Sequence, residues 1–165
     1  MNKINILLVG NIDSDKSDFV NKLISERFFN ENTGACNITT FYRDTNIGVI
    51  EISIWNCSDD PKYNGMMDGY YINANAAIIM NSTTLHDEIR NYYTNIYRVC
   101  YDIPVMILTN NKPRGKFVNI HKLTSNRPNI IGNVYINVTT NEKDILIKPI
   151  KTLCERIFGK ELIFY

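Results

Sequence analysis

The sequence lacks the features that mark several specialised classes of protein. Its four cysteines are scattered, with no C-x-x-C pair among Cys36, Cys57, Cys100 and Cys154. Without such a pair or a leader segment, they predict reduced, mostly buried thiols in an intracellular protein of the cytoplasm or nucleus. No apolar run approaches the roughly 20 residues that a membrane-spanning helix needs, so no membrane association is expected.

The sequence also lacks an excess of charge of either sign. The chain carries 18 Lys and Arg against 17 Asp and Glu, a net charge of +1, so no large basic field favours nucleic-acid binding. The loosely basic stretch 112–127 has little aromatic interleaving and predicts a solvated surface, and no nucleic-acid partner is expected. His86 and His121 have no His or Cys partner at metal-ligand spacing, which argues against a histidine-based metal site.

The composition that remains is that of one globular domain. Hydrophobic residues make up 44% and charged residues 21% of the 165 residues, which is typical of soluble proteins and predicts one domain over residues 1–165. The 25 Ile and 23 Asn indicate an AT-rich coding genome, such as that of a virus or a parasite.

Apolar runs and helical stripes alternate along the chain. Short, partly β-branched runs predict six strands, Lys3–Val9, Ile38–Tyr42, Gly48–Trp55, Ala74–Met80, Pro104–Leu108 and Ile130–Val138. Apolar residues at helical spacing predict helices over Lys16–Glu26, Leu85–Cys100 and Asp144–Phe158, the last kinked or opened at Pro149. This order predicts an α/β fold with a mostly parallel six-stranded sheet, one antiparallel hairpin turning at Arg43–Asn46, and helices on both faces.

The turn after the first strand is similar to a phosphate-binding loop. Gly10, Lys16 and Ser17 fit the pattern G-x-x-x-x-G-K-[ST], in which backbone N–H groups and the lysine hold phosphates. Asp15 stands where the second glycine belongs, and Asp13 adds another carboxylate. A carboxylate about 5 Å from a phosphate charge costs roughly 3 kcal/mol at an effective dielectric near 20. We therefore expect weak phosphate binding and a lysine neutralised by these two carboxylates.

The same loop allows two other interpretations. It is equally explained as a plain strand–helix connection in which Asp13, Ser14 and Asp15 cap the helix. Alternatively, the carboxylates of Asp13, Asp15, Asp59 and Asp60 could gather around a divalent cation, since hard cations prefer oxygen ligands. With Lys112, that cluster is similar to the site of a phospho-receiver domain, but a hairpin over 38–55 is at odds with the receiver's continuous strand–helix alternation.

The chain order resembles the Ras superfamily of small GTPases, and longer stretches resemble the Ran family of nuclear-transport GTPases. The likeness is strongest over Gly65–Val105, where Asp68-Gly69-Tyr70-Tyr71-Ile72 resembles the second-switch helix and Arg98-Val99-Cys100 the third helix; Lys148-Pro149 resembles the last helix. The resemblance implies a small-GTPase (P-loop) fold over the whole chain. It also implies a partner-binding surface that includes Asp68, Gly69, Tyr70 and Tyr71.

Each further nucleotide motif implied by that resemblance is altered. Ala35 falls at the switch threonine, and Thr33 reaches that position only if the loop shifts. The metal-linked Asp, the flexible Gly and the water-orienting Gln are replaced by Asn56, Asp59 and Asp60, which implies loss of the terminal-phosphate sensor and of the group that orients attacking water. The guanine-binding Asp is missing from the run Asn110-Asn111-Lys112-Pro113, and also when the motif begins one residue later at Asn111. The last motif has become Thr139, Thr140 and Asn141.

The resemblance and the altered motifs together predict a pseudo-GTPase. This would be a protein-interaction module with no GTPase activity, no catalytic residue, no metal and no cofactor. Its partners would be proteins, namely nuclear-transport receptors or regulators of Ran-type GTPases. Two alternatives stay open: a divergent GTPase that still binds GTP or GDP and magnesium through Gly10, Lys16, Ser17 and Asn111, and a structural subunit of a homo- or hetero-oligomer.

Overall fold

A computed structural model describes residues 1–11, 15–24, 28–82, 86–110, 122 and 124–165 of the protein. Its seven strands are β1 (Asn2–Gly10), β2 (Phe28–Asn32), β3 (Cys36–Thr45), β4 (Gly48–Cys57), β5 (Ala76–Asn81), β6 (Val105–Asn110) and β7 (Ile130–Ile136). They form one sheet in the order β2-β3-β4-β1-β5-β6-β7. β4, β1, β5, β6 and β7 are parallel, whereas β2–β3 and β3–β4 are antiparallel pairs.

The predicted fold class is confirmed, with corrections in the antiparallel part of the sheet. The sheet has seven strands rather than six, because β2 was missed. All five residues of β2 are exposed, so it has no buried apolar face and gives no alternating pattern. The hairpin turn lies at Asn46 and Ile47 rather than over Arg43–Asn46, because Arg43 and Asp44 continue the pairing with β4.

The helices are α1 (Lys16–Leu23), α2 (Met67–Tyr71), α3 (His86–Cys100) and α4 (Lys143–Phe158), with a 3₁₀ helix at Pro61–Met66. α1 is shorter than predicted, because Ile24 already has an extended backbone; Glu26 and Leu85 lie outside the described residues. α4 is continuous across Pro149, so the opening predicted there was wrong. The buried side chains of Leu146, Ile150 and Leu153 hold α4 on the sheet.

Two hydrophobic cores lie on opposite faces of the sheet, and β1 contributes to both. Ile4, Ile6 and Leu8 pack with α1 and α4, whereas Leu7 and Val9 pack with α2 and α3. This division follows from the two-residue period of a strand, which sends successive side chains to opposite faces. The predicted covering of both faces by helices is therefore confirmed.

The structure also describes the state of the cysteines and the apolarity of the helices. The four cysteines, all of them in the described part of the chain, are free, and Cys36, Cys57 and Cys154 are buried while Cys100 is half-buried. Among the described residues, no helix is both long enough and apolar enough to cross a membrane.

Candidate functional site

A cavity of about 440 Å³ lies at the carboxyl ends of β1 and β4, beside the start of α1. We call it the loop cavity; its lining is Asp15, Lys16, Ser17, Asp18, Asn32, Gly34, Ala35, Asn37, Asn56, Cys57, Ser58 and Asp59. β1 is the point where the strand order reverses, since β4 lies on one side of it and β5 on the other. Ligands of open α/β sheets bind outside the carboxyl ends of the strands at such a point.

Asp15 retains the backbone shape that the missing glycine would supply. Its φ is 60° and its ψ is 38°, in the left-handed region that Asp tolerates better than most other non-glycine residues. Its carboxylate accepts a hydrogen bond of 2.8 Å from Asn110 Nδ2 at the end of β6. Asp15 occupies the N-cap position of α1 but makes no side-chain capping bond, so that part of the capping prediction was wrong. Asp13 and Ser14 lie outside the described residues.

Lys16 is buried and is bonded to the backbone of its own loop. Its Nζ donates to the carbonyl oxygen of Gly10 at 2.6 Å and to that of Asn11 at 3.3 Å. Burial lowers the pKa of Lys16, while the negative charge of Asp59 opposes that shift. The prediction that Asp15 neutralises Lys16 was wrong, because the Asp15 carboxylate accepts a bond from Asn110.

Ser17 and Asn56 bond to each other across the loop cavity. The Nδ2 of Asn56, near the end of β4, donates to Ser17 Oγ at 3.2 Å. The resemblance implies a magnesium-linked carboxylate at position 56, where this chain has a neutral amide. A neutral amide brings no negative charge to a cation, so residue 56 favours magnesium less than the implied carboxylate would.

The segment before β3 has no hydroxyl directed at the loop cavity from the switch-threonine position. Ala35 is fully buried, and its carbonyl oxygen accepts from the Ser58 amide at 2.9 Å. The nearby Thr33 hydroxyl donates to the Cys36 carbonyl and accepts bonds from the Cys36 amide and the Tyr70 hydroxyl. Thr33 therefore uses its donor and both acceptor lone pairs within the protein.

The two aspartates after β4 have different surroundings. Asp59 lines the loop cavity and interacts electrostatically with Lys16. Asp60 is the N-cap of the 3₁₀ helix, where its Oδ1 accepts from the Lys62 amide at 3.1 Å. Hydrogen bonds from Lys62 lower the pKa of Asp60. The residue at the predicted water-orienting position thus serves a local cap, and it is not part of the cavity lining.

The predicted partner surface on α2 is only partly exposed. Asp68 and Gly69 are exposed, and both oxygens of Asp68 accept from Arg98 of α3 at 2.6 and 2.9 Å, which lowers the pKa of Asp68. Tyr70 is half-buried, edge-on to Trp55 with ring centroids 6.2 Å apart. Tyr71 is buried in the core beneath α2, so its assignment to the surface was wrong: successive helical residues point about 100° apart.

The residues at the implied guanine-binding motif and at the last nucleotide motif do not line the loop cavity where the structure describes them. Thr139 bonds to Asn137, and the Thr140 carbonyl accepts from Lys22 of α1 at 3.0 Å. Thr140 and Asn141 instead line a separate cavity of about 310 Å³ between α1 and α4. Asn111, Lys112 and Pro113 lie outside the described residues.

The proposed acidic metal cluster is not assembled in the described part of the chain. No group of three or more His, Cys, Asp or Glu there is arranged to hold a metal ion. Asp15 faces Asn110, and Asp60 faces Lys62. Carboxylates that already serve these two partners do not converge with Asp59 on a common point.

Several contacts around the loop cavity were not predicted from the sequence. The partner of Asp15 is Asn110, a buried polar residue at the end of an apolar strand. The implied guanine-binding motif marks Asn110 in the sequence but does not indicate its bond to Asp15. The Thr33–Tyr70 and Asp68–Arg98 bonds join residues 37 and 30 positions apart, respectively. Neither pair has a spacing that a single helix or hairpin would bring together, so no local pattern reveals them.

One protein-family model matches the greater part of this chain. A family model described as "Ras of Complex, Roc, domain of DAPkinase" matches residues 5–113, which is more than half of the chain. The chain belongs to the Roc family. Membership of the Roc family confirms the predicted kinship of this chain with Ras-type small GTPases.

A solved structure supports the fold of this Roc-family chain. Methanosarcina barkeri Roco2 RocCORdC bound to GDP is similar to it with a TM-score of 0.73 and 18% sequence identity. The match covers 100% of this chain and 52% of that chain, so this chain spans about half the length of that protein. At this identity the likeness shows the shared fold alone. Neither comparison names Ran, and the finer resemblance to Ran stays a prediction.

Proposed function

We propose that this chain is a pseudo-GTPase of the Roc family that binds protein partners and does not hydrolyse GTP. The observation that carries the proposal is that polar side chains at the implied nucleotide positions are bonded within the protein. Asn56 bonds to Ser17, Asp15 to Asn110, and Asp60 to Lys62. The bonds of Asn56, Ser17 and Asp60 occupy positions that a GTPase uses for metal and water, and Asp15 places a carboxylate where a GTPase has no side chain.

A second set of contacts supports a fixed partner surface. The segment before β3 is joined to α2 by the Tyr70–Thr33 hydrogen bond of 2.8 Å and to the end of β4 by the bond between Ser58 and Ala35. α2 is joined to α3 by the Arg98–Asp68 ion pair. In GTPases, comparable segments are ordered by the terminal phosphate and its magnesium ion. In this chain, hydrogen bonds and an ion pair within the protein hold these segments in place. One conformation is therefore expected to dominate without nucleotide.

The first prediction concerns bound nucleotide. The purified protein is expected to contain no stoichiometric guanine nucleotide after denaturation and ion-exchange chromatography of the supernatant. Calorimetric titration with GDP or GTP in the presence of magnesium is expected to give no heat of binding. The physical reason is that residue 15 adds a negative charge beside the phosphate-like loop and that Asn56 supplies no charge for the metal.

The opposite result would identify a different function. Near-stoichiometric GDP or GTP would overturn the pseudo-GTPase proposal and favour a divergent nucleotide-binding GTPase. One observation supports that second candidate: Asp15 has a left-handed backbone, and Lys16 is buried and bonded to the Gly10 carbonyl beside an open cavity. The similar Roco2 structure is itself described as bound to GDP.

We further propose that the partners are transport receptors or regulators that recognise Ran-type GTPases. Support comes from the Ran-like sequence of Gly65–Val105 and from the exposed apolar side chains that flank α2. Met66 is 52% exposed and Ile72 is 68% exposed. Exposed apolar residues beside a charged group are typical of interface centres with polar rims.

This partner proposal predicts a specific loss of binding. Immobilised Ran-type transport receptors are expected to capture the wild-type protein, and Ile72→Asp is expected to weaken capture at least about tenfold, because a buried unpaired charge at an interface costs more than 1.4 kcal/mol. Ile145→Asp on α4 is the matched control, since Ile145 is also partly exposed, at 45%. Failure of every receptor to capture the wild-type protein would contradict the proposal.

A further inference from the structure

Cys36 and Cys57 lie directly opposite each other on the antiparallel strands β3 and β4. The amide of Ser58 donates to the carbonyl of Ala35 at 2.9 Å, so the hydrogen bond runs between the residues that flank this pair. That pattern defines a non-hydrogen-bonded pair, in which the two Cα atoms approach to about 4.5 Å and the side chains lie closest. A disulfide requires a Cα separation of about 4.4 to 6.8 Å, which this class of pair meets without moving the backbone.

The two thiols already touch. Cys36 Sγ and Cys57 Sγ are 3.1 Å apart, close enough for one thiol to donate to the other. Both side chains are buried, with exposures of 1% and 3%, and both pack in the core formed with α2 and α3. The register and the contact between the sulfur atoms are separate observations, and both indicate that the bond can form in place.

One of the two cysteines lines the loop cavity. Cys57 belongs to the cavity lining, whereas Cys36 does not. Cys100 and Cys154 are also absent from that lining. A small oxidant that enters the loop cavity therefore reaches the residue Cys57 and not Cys36, and the Cys36 sulfur is in contact with the Cys57 sulfur and can complete a disulfide.

We propose that Cys36 and Cys57 form a redox site that a small hydroperoxide converts to a disulfide. The Cys57 sulfur attacks one peroxide oxygen, the O–O bond breaks, and sulfenic acid and water form when hydrogen peroxide is the oxidant. The Cys36 sulfur then attacks the Cys57 sulfur, the S–S bond forms, and the hydroxyl leaves with the Cys36 proton as a second water. Two thiols lose two electrons in total, and the peroxide gains them.

The disulfide would tie together the two sides of the loop cavity. Gly34 and Ala35 line the cavity immediately before Cys36, and Ser58 and Asp59 line it immediately after Cys57. A covalent bond between the strand ends limits how far these segments separate. Oxidation would therefore hold the cavity mouth and the surface beside α2 in the described arrangement, whether or not a nucleotide binds.

The test is oxidation of the intact protein followed by peptide mapping. Wild-type protein is treated with hydrogen peroxide at pH 8, alkylated and digested without reduction. We expect a Cys36–Cys57 linked peptide, a mass loss of about 2 Da in the intact protein, and a rise in Tm of about 5 to 10 °C that dithiothreitol reverses. Hydrogen exchange at the Ser58 amide is expected to slow in the oxidised form.

Single variants separate this site from general thiol oxidation. Cys36→Ser and Cys57→Ser are expected to lose the mass change and the Tm rise, whereas Cys100→Ser is expected to behave as the wild-type protein does. The wild-type peptide map decides the question even if a variant fails to fold. Retention of both thiols, linkage through Cys100, or overoxidation of Cys57 without a bond to Cys36 would overturn the proposal. None of these outcomes depends on whether nucleotide binds.

Discussion

Replacing Asp15 with asparagine is expected to increase the affinity of the protein for GDP and magnesium by about 100-fold. The substitution removes one negative charge beside the phosphate loop, and such a charge about 5 Å from a phosphate contributes roughly 3 kcal/mol of repulsion at an effective dielectric near 20. Asparagine tolerates the left-handed backbone of residue 15. Its side-chain oxygen can still accept the bond that Asn110 Nδ2 donates to Asp15, so the fold is expected to be unchanged.

Calorimetric titration of the wild-type and variant proteins measures this effect. Asp102→Asn is the matched control, because Asp102 is exposed between α3 and β6. It precedes the amino end of β6, whereas the loop cavity lies at the carboxyl ends of the parallel strands. This control changes the net charge equally and is expected to leave GDP binding as in the wild type. Asp15→Gly is a useful second variant, since it also removes the charge but leaves Asn110 without this bond. Equal binding by wild type and Asp15→Asn would show that the carboxylate is not the barrier.

Replacing Phe19 with alanine is expected to lower the free energy of unfolding by about 3 to 5 kcal/mol. Phe19 lies on α1 and is fully buried in the core between the sheet, α1 and α4. Truncation removes the buried ring and leaves a cavity that surrounding side chains fill only in part. Because α1 directly follows the phosphate-like loop, the same change is expected to loosen the side of the loop cavity that α1 forms.

Urea denaturation measures the loss as a lower midpoint with an unchanged m-value, and Tm is expected to fall by about 10 °C. Phe29→Ala is the control, because Phe29 on β2 is the same residue type but is 68% exposed. Its effect is expected to stay within about 0.5 kcal/mol. An equal loss in the two variants would mean that Phe19 is not packed as described.

Local pattern explains most of the agreement between sequence and fold. β1, β5 and β6 are apolar runs buried on both faces, and such runs need no tertiary information to be recognised as central strands. α3 was likewise marked by buried Ile89, Tyr93 and Ile96 at helical spacing. β2 was missed because both of its faces are exposed and its pairing with β3 is the only thing that makes it a strand.

The candidate site was predictable in position and less so in contacts. The motif Gly10, Lys16 and Ser17 correctly marked the turn after β1, because a short segment of chain must carry all three residues. The orientation of Asp15 was not predictable, since its partner Asn110 lies 95 residues away. Tyr71 was assigned to the surface together with its Ran-like segment, and a resemblance in sequence does not reveal which side of a short helix faces the core.

The sequence by itself determined the resemblance to Ras-type GTPases, through short motifs such as Gly10, Lys16 and Ser17. It also determined six of the seven strands of the described chain, three of its four α-helices and the two-sided core. These properties depend on residues close together in the chain, whose periodicity records burial. Only the tertiary structure decided which polar groups around the loop cavity bond to one another and that Cys36 meets Cys57. Such pairs depend on strand register and on distant loops packing together, and neither is encoded in any one segment.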